Sequence, residues 1–374
     1  MSTAPDPVEL TRTLVRFDTV NPTSRERECA EHLGHLLEDA GFAVARHEFA
    51  PGRTSLVARA GRGRREPLCF AGHIDTVPFG AAPWSRDPLA GEIDGGRLYG
   101  RGASDMKSGV AAFVSAAVEV ALADRESDMV LVIVAGEETG CQGSAHLART
   151  AGALGRAGAV VVAEPTANYP LVGHKGALWL RARTRGVTAH GSMPERGVNA
   201  IYKAARAVAR LEAHRFSAPA DPLLGSPTLN VGTISGGLNV NSVPDEAVIG
   251  IDVRTIPAQR NDVVRAGLAD LLGDDVELSA FLDVEALRSD AEDPWVQEVF
   301  AVVAPVLGEQ PVARSASYFT DASMLTPAFG GVPTVILGPG ELAQCHQTDE
   351  YCQVRRVEEA TSIFRALARR WSQR

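Results

Sequence analysis

Two short runs in this chain, residues 130–135 (VLVIVA) and 159–163 (AVVVA), are apolar at every position. A strand with one wet face alternates polar and apolar side chains. A run without alternation reads instead as a central strand covered on both sides, the habit of parallel sheets. Helical and strand patterns take turns around these two runs. Residues 26–40 space apolar side chains three and four apart and stop at Gly41, which predicts an amphipathic helix. Residues 42–49, 55–60 and 68–72 are short strand-like runs, and 107–123, rich in Ala and Val, predicts a buried helix. Such alternation implies an α/β sheet with helices on both sides.

The pattern changes near Gly176. Residues 177–186, 228–234 and 247–255 read as strands, with helices at 198–214 and 261–272, which fits a small α+β sandwich of about a hundred residues. After Asp283 the first pattern resumes, with a helix at 294–303, an apolar strand at 334–337 and a closing helix at 356–371. The simplest organisation is one α/β domain, 1–175 and 286–374, interrupted by an inserted domain, 176–285. A chain of 374 residues is long enough for two cores. Its 46 acidic and 37 basic side chains leave a net charge of -9, the wrong sign for a general nucleic-acid binder. No apolar run approaches the ~20 residues of a membrane span. The start, MSTAPDPVEL, has neither the basic nor the apolar segment of a secretory signal. The five cysteines are scattered and lack CxxC spacing, so a reducing cytoplasm is the expected location.

Chemistry-bearing residues gather where strands end. His73 and Asp75 (GHIDTVP) follow the run 68–72, two apart and so able to share one face. Taken alone they also fit a surface loop. Asp105 lies in GRGASDMKSG, a Gly-rich stretch that opens the 107–123 helix without matching a phosphate loop; there it would serve as an N-cap or reach a metal. Glu137 and Glu138 (AGEETG) end the strongest apolar strand. Two carboxylates there are costly unless something positive compensates, and on a strand they would point oppositely and do different work. A solvated turn is the plainer alternative. Glu164 (AEPT) repeats the arrangement, and His346 (CHQTDE) follows the strand at 334–337.

Taken in order, these motifs resemble the dinuclear zinc amidohydrolase family that includes acetylornithine deacetylase, succinyl-diaminopimelate desuccinylase, glutamate carboxypeptidase and aminoacylase. The similarity runs from FDTVNP at 17–22 to HQTDE at 346–350. It implies an α/β, zinc-peptidase-like catalytic domain with a mixed sheet flanked by helices, interrupted by an inserted α+β lid and dimerisation domain. It also implies two Zn2+ per subunit, with Co2+ or Mn2+ as substitutes. His73 and Glu164 would hold one ion, Glu138 and His346 the other, and Asp105 would bridge them. Glu137 matches the family's general base and Asp75 its carboxylate beside the first histidine. In the inserted domain His190 (GVTAHGSMP) matches an oxyanion-stabilising histidine, often supplied by the partner of a homodimer, and Asn241 and Arg254 match substrate contacts. Thr320 (YFTDA) lies in a substrate-side loop, where Asp321 reads as a helix cap. The implied reaction is hydrolysis of an N-acyl amino acid, with peptide hydrolysis by a carboxypeptidase or dipeptidase as the alternative and a catalytically silent relative as the remaining one.

Overall fold

The computed structural model describes residues 3–22 and 25–374. These fall into two compact units. The first holds 3–173, 288–314 and 320–374 among the described residues; the second holds 174–287 and 315–319.

The first unit is built on a six-stranded sheet. Its order is Ala43–Ala50, Arg53–Ala60, Met129–Val134, Leu68–His73, Ala159–Val162, Thr334–Ile336. The first three strands pair antiparallel and the rest pair parallel, so the sheet is mixed. Every residue of the three central strands is buried, which accounts for the absence of alternation in their sequence. Helices α1 (Pro7–Arg16), α3 (Ser108–Ala123), α7 (Pro294–Leu307) and α9 (Val354–Ser372) pack on one another as one group. Helix α2 (Glu26–Asp39) packs on the Arg53–Ala60 strand, and α4 (Gln142–Arg149) packs on both that strand and α8 (Ala322–Ala328). Helix α3, rich in Ala and Val, buries most of its side chains.

Two glycines bring helices onto strand ends. A Cβ on Gly109 would stand 2.1 Å from the Ala163 carbonyl oxygen, and one on Gly143 would stand 2.2 Å from that of Ala135. Each contact fixes the backbone immediately before an acidic residue, Glu164 in one case and Gly136-Glu137 in the other.

The second unit is a four-stranded antiparallel sheet, ordered Thr228–Gly236, Glu246–Arg254, Ala177–Arg185, Val276–Val284. Helices α5 (Ala200–Ala213) and α6 (Asn261–Leu272) cover it, and the core is Leu178, Leu180, Ile249, Ile251, Val253, Leu211 and Leu268 with their neighbours. Here the strand Glu246–Arg254 does alternate, because one face meets the helices and the other does not. The segment 315–319 joins this unit through Ala316, whose carbonyl accepts the Lys175 amide.

Candidate metal centre

The parallel strands of the first unit deliver their following residues to one edge of the sheet, where ligand sites of α/β folds form. His73 is the last residue of its strand and is 1% exposed. Its Nε2 lies 3.2 Å from Asp105 Oδ1 and 4.0 Å from both Glu137 Oε2 and Glu164 Oε2. His346 Nε2 lies 3.1 Å from Glu138 Oε1 and 3.4 Å from Asp105 Oδ2. His346 adopts φ +62°, a left-handed conformation that non-glycine residues rarely take and that concentrates at functional sites. Two donor sets result, each with its donor atoms within 4.8 Å of one another: His73, Asp105, Glu164 and Asp105, Glu138, His346. Asp105 belongs to both.

Two local expectations need correction. Asp105 does not cap α3, which begins at Ser108. It sits in a wide turn, Ala103–Lys107, at φ -122° and ψ 96°, and this non-helical backbone turns its carboxylate to the two imidazoles. Nor do Glu137 and Glu138 divide their work by strand alternation. The strand ends at Val134, and a turn closed by the Gly140 and Cys141 amides on the Glu137 carbonyl carries both.

Glu350 holds the Asp105 turn from beneath. Fully buried, it accepts from the amides of Gly102, Ser104 and Asp105 and from Arg101 Nη1 at 2.7 Å. The Arg101 guanidinium also lies over the Trp84 ring. Removing one partner of such a pair strands a buried charge, so Arg101→Met should lower unfolding free energy by about 3–5 kcal/mol in urea titrations. A loss below about 1 kcal/mol would show that the pair is solvated. Ser104 Oγ is equally occupied, accepting the Glu341 amide, and is no free nucleophile.

Electrostatics at this edge are dominated by negative charge in a dry place. Burial, together with the nearby Glu164, Asp321 and Glu138, pushes the Glu137 carboxyl well above the ordinary range against the pull of His73. Burial likewise raises Glu164 and Glu138. Burial also works against Asp105, but hydrogen bonds from His346 and His73 outweigh it and hold that carboxyl low. Hydrogen bonds to Asp105 and Glu138 lift His346 to about 10. Glu164 Oε1 is buried with no hydrogen-bond partner, a costly state unless a cation reaches it. Mixed imidazole and carboxylate donors around a shared carboxylate suit a pair of divalent transition-metal ions.

Asp321 stands at the N-cap position of α8, as read from the sequence, but does not cap the helix with its side chain. It is fully buried and accepts from Ser144 Oγ. Thr320 is also fully buried, and its hydroxyl accepts the Ala322 amide at the start of α8. The remaining named residues lie in the second unit. His190 is exposed, and its Nδ1 accepts the Ser192 amide at 3.2 Å. The Ser192 hydroxyl lies 2.7 Å from the same Nδ1, and Nε2 makes no hydrogen bond among the described residues. The His190 and Asn241 loops are paired, through the Gly191 amide on the Asn241 carbonyl and a bridge from His190 to Ser242. Arg254 is engaged by its neighbour Asp252 at 2.9 Å.

Known proteins resemble this chain in sequence and in fold. Residues 69–370 match the model of Peptidase family M20/M25/M40. The chain is 30% identical over 383 residues to an acetylornithine deacetylase of Proteus mirabilis (strain HI4320), covering 96% of this chain and 95% of that one. It is 31% identical over 381 residues to one of Klebsiella pneumoniae (strain 342), with the same coverage. Among solved structures, an M20 family metallo-carboxypeptidase from Sulfolobus solfataricus superposes with a TM-score of 0.84 at 18% identity, covering 99% of this chain and 100% of that one. The chain therefore belongs to peptidase family M20/M25/M40 and is a metal-dependent hydrolase of amide bonds.

Proposed function

We propose that the protein removes the acyl group from an N-acyl amino acid, using two zinc ions per subunit. The observation that carries this reading is the pair of donor sets joined by Asp105, with Glu137 beside them in neither set. The choice of deacylase over peptidase rests on the two acetylornithine deacetylases, similar over nearly the whole chain. In this reading His73 and Glu164 would hold one ion and Glu138 and His346 the other, with Asp105 available to both. Co2+ or Mn2+ satisfies the same donors. Bound metal supplies Lewis acidity toward the amide carbonyl and makes water acidic enough to lose a proton at neutral pH. Glu137 would take a proton from the attacking water on its carboxylate and return it to the leaving amine nitrogen. His190 stabilises the developing oxyanion by donating from Nε2. Asn241 and Arg254 contact the polar groups of the substrate, Arg254 after exchanging Asp252 for a substrate carboxylate. Thr320 keeps a hydroxyl proton to give on the substrate side. We further propose a cytoplasmic homodimer formed through the second unit.

Turnover of N-acetylornithine, N-succinyl-diaminopimelate and a dipeptide panel, with zinc or cobalt added and after chelation, tests this. The expected result is at least about tenfold higher kcat/KM on an N-acyl amino acid than on any dipeptide, lost on chelation and restored by metal. A preference for dipeptides would establish the carboxypeptidase or dipeptidase alternative instead. No turnover by the metal-loaded protein would favour a silent relative.

A further inference from the structure

The FDTVNP segment at 17–22 has no part in the scheme above, yet it lies against the centre. Thr19 Oγ1 donates to the Ile74 carbonyl at 2.6 Å, the Thr76 amide donates to Thr19, and the Asn21 amide donates to Thr76. Asn21 is only 6% exposed. Its Nδ2 donates to Asp75 Oδ2 at 2.8 Å, and its Oδ1 accepts from Arg53 Nη2 at 2.9 Å. The same guanidinium is anchored on buried Glu26 at 2.9 Å and reaches Gln142 through Nη1.

What Asp75 does with its carboxylate gives this relay a purpose. The ring of His73 directs Nδ1 to the main-chain oxygen of Asp75 at 2.9 Å, with the nearer carboxylate oxygen at 3.6 Å. The carboxylate itself accepts the Glu137 amide on Oδ1 at 3.0 Å and the Glu138 amide on Oδ2 at 3.2 Å. Rotation about the terminal bond of an Asp side chain is soft. Two amides alone leave that rotation loosely fixed, and a third donor on Oδ2 removes the freedom. The primary amide of Asn21 gives a proton to Asp75 from its nitrogen and accepts one from Arg53 on its oxygen, and neither alanine nor an ionised aspartate can do both.

We infer that Asn21 is a positioning residue for the acid–base glutamate: it fixes the Asp75 carboxylate, which fixes the Glu137–Glu138 turn. The inference rests on the assignment of Glu137 as general base. It is tested with Asn21→Ala and Asn21→Asp in the full-length protein, metal-free and zinc-loaded. In the metal-free protein, amide deuterium uptake across 136–140 should accelerate about tenfold while the strand Met129–Val134 is unchanged. In the zinc-loaded protein, kcat should fall about 30-fold with KM within about twofold and zinc content retained. Asn21→Asp should behave as Asn21→Ala, since an ionised carboxylate offers Asp75 no donor. Unchanged uptake across 136–140 overturns the inference, as does a loss of activity explained by lost zinc. Where the Asn21 variants do not fold, Arg53→Lys replaces them, because one ammonium cannot serve Asn21, Glu26 and Gln142 together; faster uptake in the same segment supports the relay and unchanged uptake overturns it. A wild-type protein that turns over no substrate would defeat the deacylase reading, while the exchange experiment would still decide the role of Asn21.

Discussion

Glu137→Gln is expected to lower kcat by about 10³–10⁴-fold while the protein keeps its metal. Glutamine matches glutamate in shape, and the turn is closed on the Glu137 main chain rather than its side chain, so local structure should persist. Glu137 stands outside both donor sets, 4.0 Å from His73 Nε2, which is why its loss should spare the metals. An amide cannot accept and return a proton, so the change removes one function and little else. Metal content and single-turnover rates measured on one preparation check it. Near-normal turnover would remove Glu137 as general base, and parallel loss of metal would make it a ligand instead.

Asp105→Ala should have the opposite signature. Asp105 is the one residue common to both sets and receives both imidazoles, at 3.2 and 3.4 Å. Outer residues of metal sites already cost about 10–100-fold in affinity when removed, and a shared ligand should cost more. Zinc titration should show both affinities reduced by about 100-fold or more, with activity at ordinary zinc concentrations lost. If one site stayed intact, Asp105 would not be a bridge. The comparison with Glu137→Gln separates proton transfer from metal binding in adjoining side chains.

Much of the fold was legible because burial on both faces leaves a direct mark on sequence. The runs at 130–135 and 159–163 became the central strands Met129–Val134 and Ala159–Val162, and the Ala- and Val-rich stretch became α3. The helix at 26–40 was equally readable, since α2 ends at Asp39, ahead of Gly41. Short pieces left weaker marks. Helix α4, eight residues long, is too short to show a full apolar period, whereas the strand Val276–Val284 alternates at Val276, Leu278, Ala280, Leu282 and Val284, a legible signal missing from the strands expected above.

The sequence by itself determined which donor-bearing side chains follow which strands, because a strand's length and its apolar run fix where it stops. Tertiary structure alone decided who touches whom. Asn21 meets both Asp75 and Arg53, Glu350 reaches under Asp105 from 245 positions away, and Asp321 finds Ser144 across 177. Asp105 looked like a cap and is none, and Asp321, at the N-cap of α8, lends its carboxylate not to the helix but to a crowded, buried acidic edge. Periodicity records only the side of an element that is dry. Hydrogen-bond partners and the shared position of Asp105 depend on where the chain returns, and that is settled only when the sheet and its helices close around them.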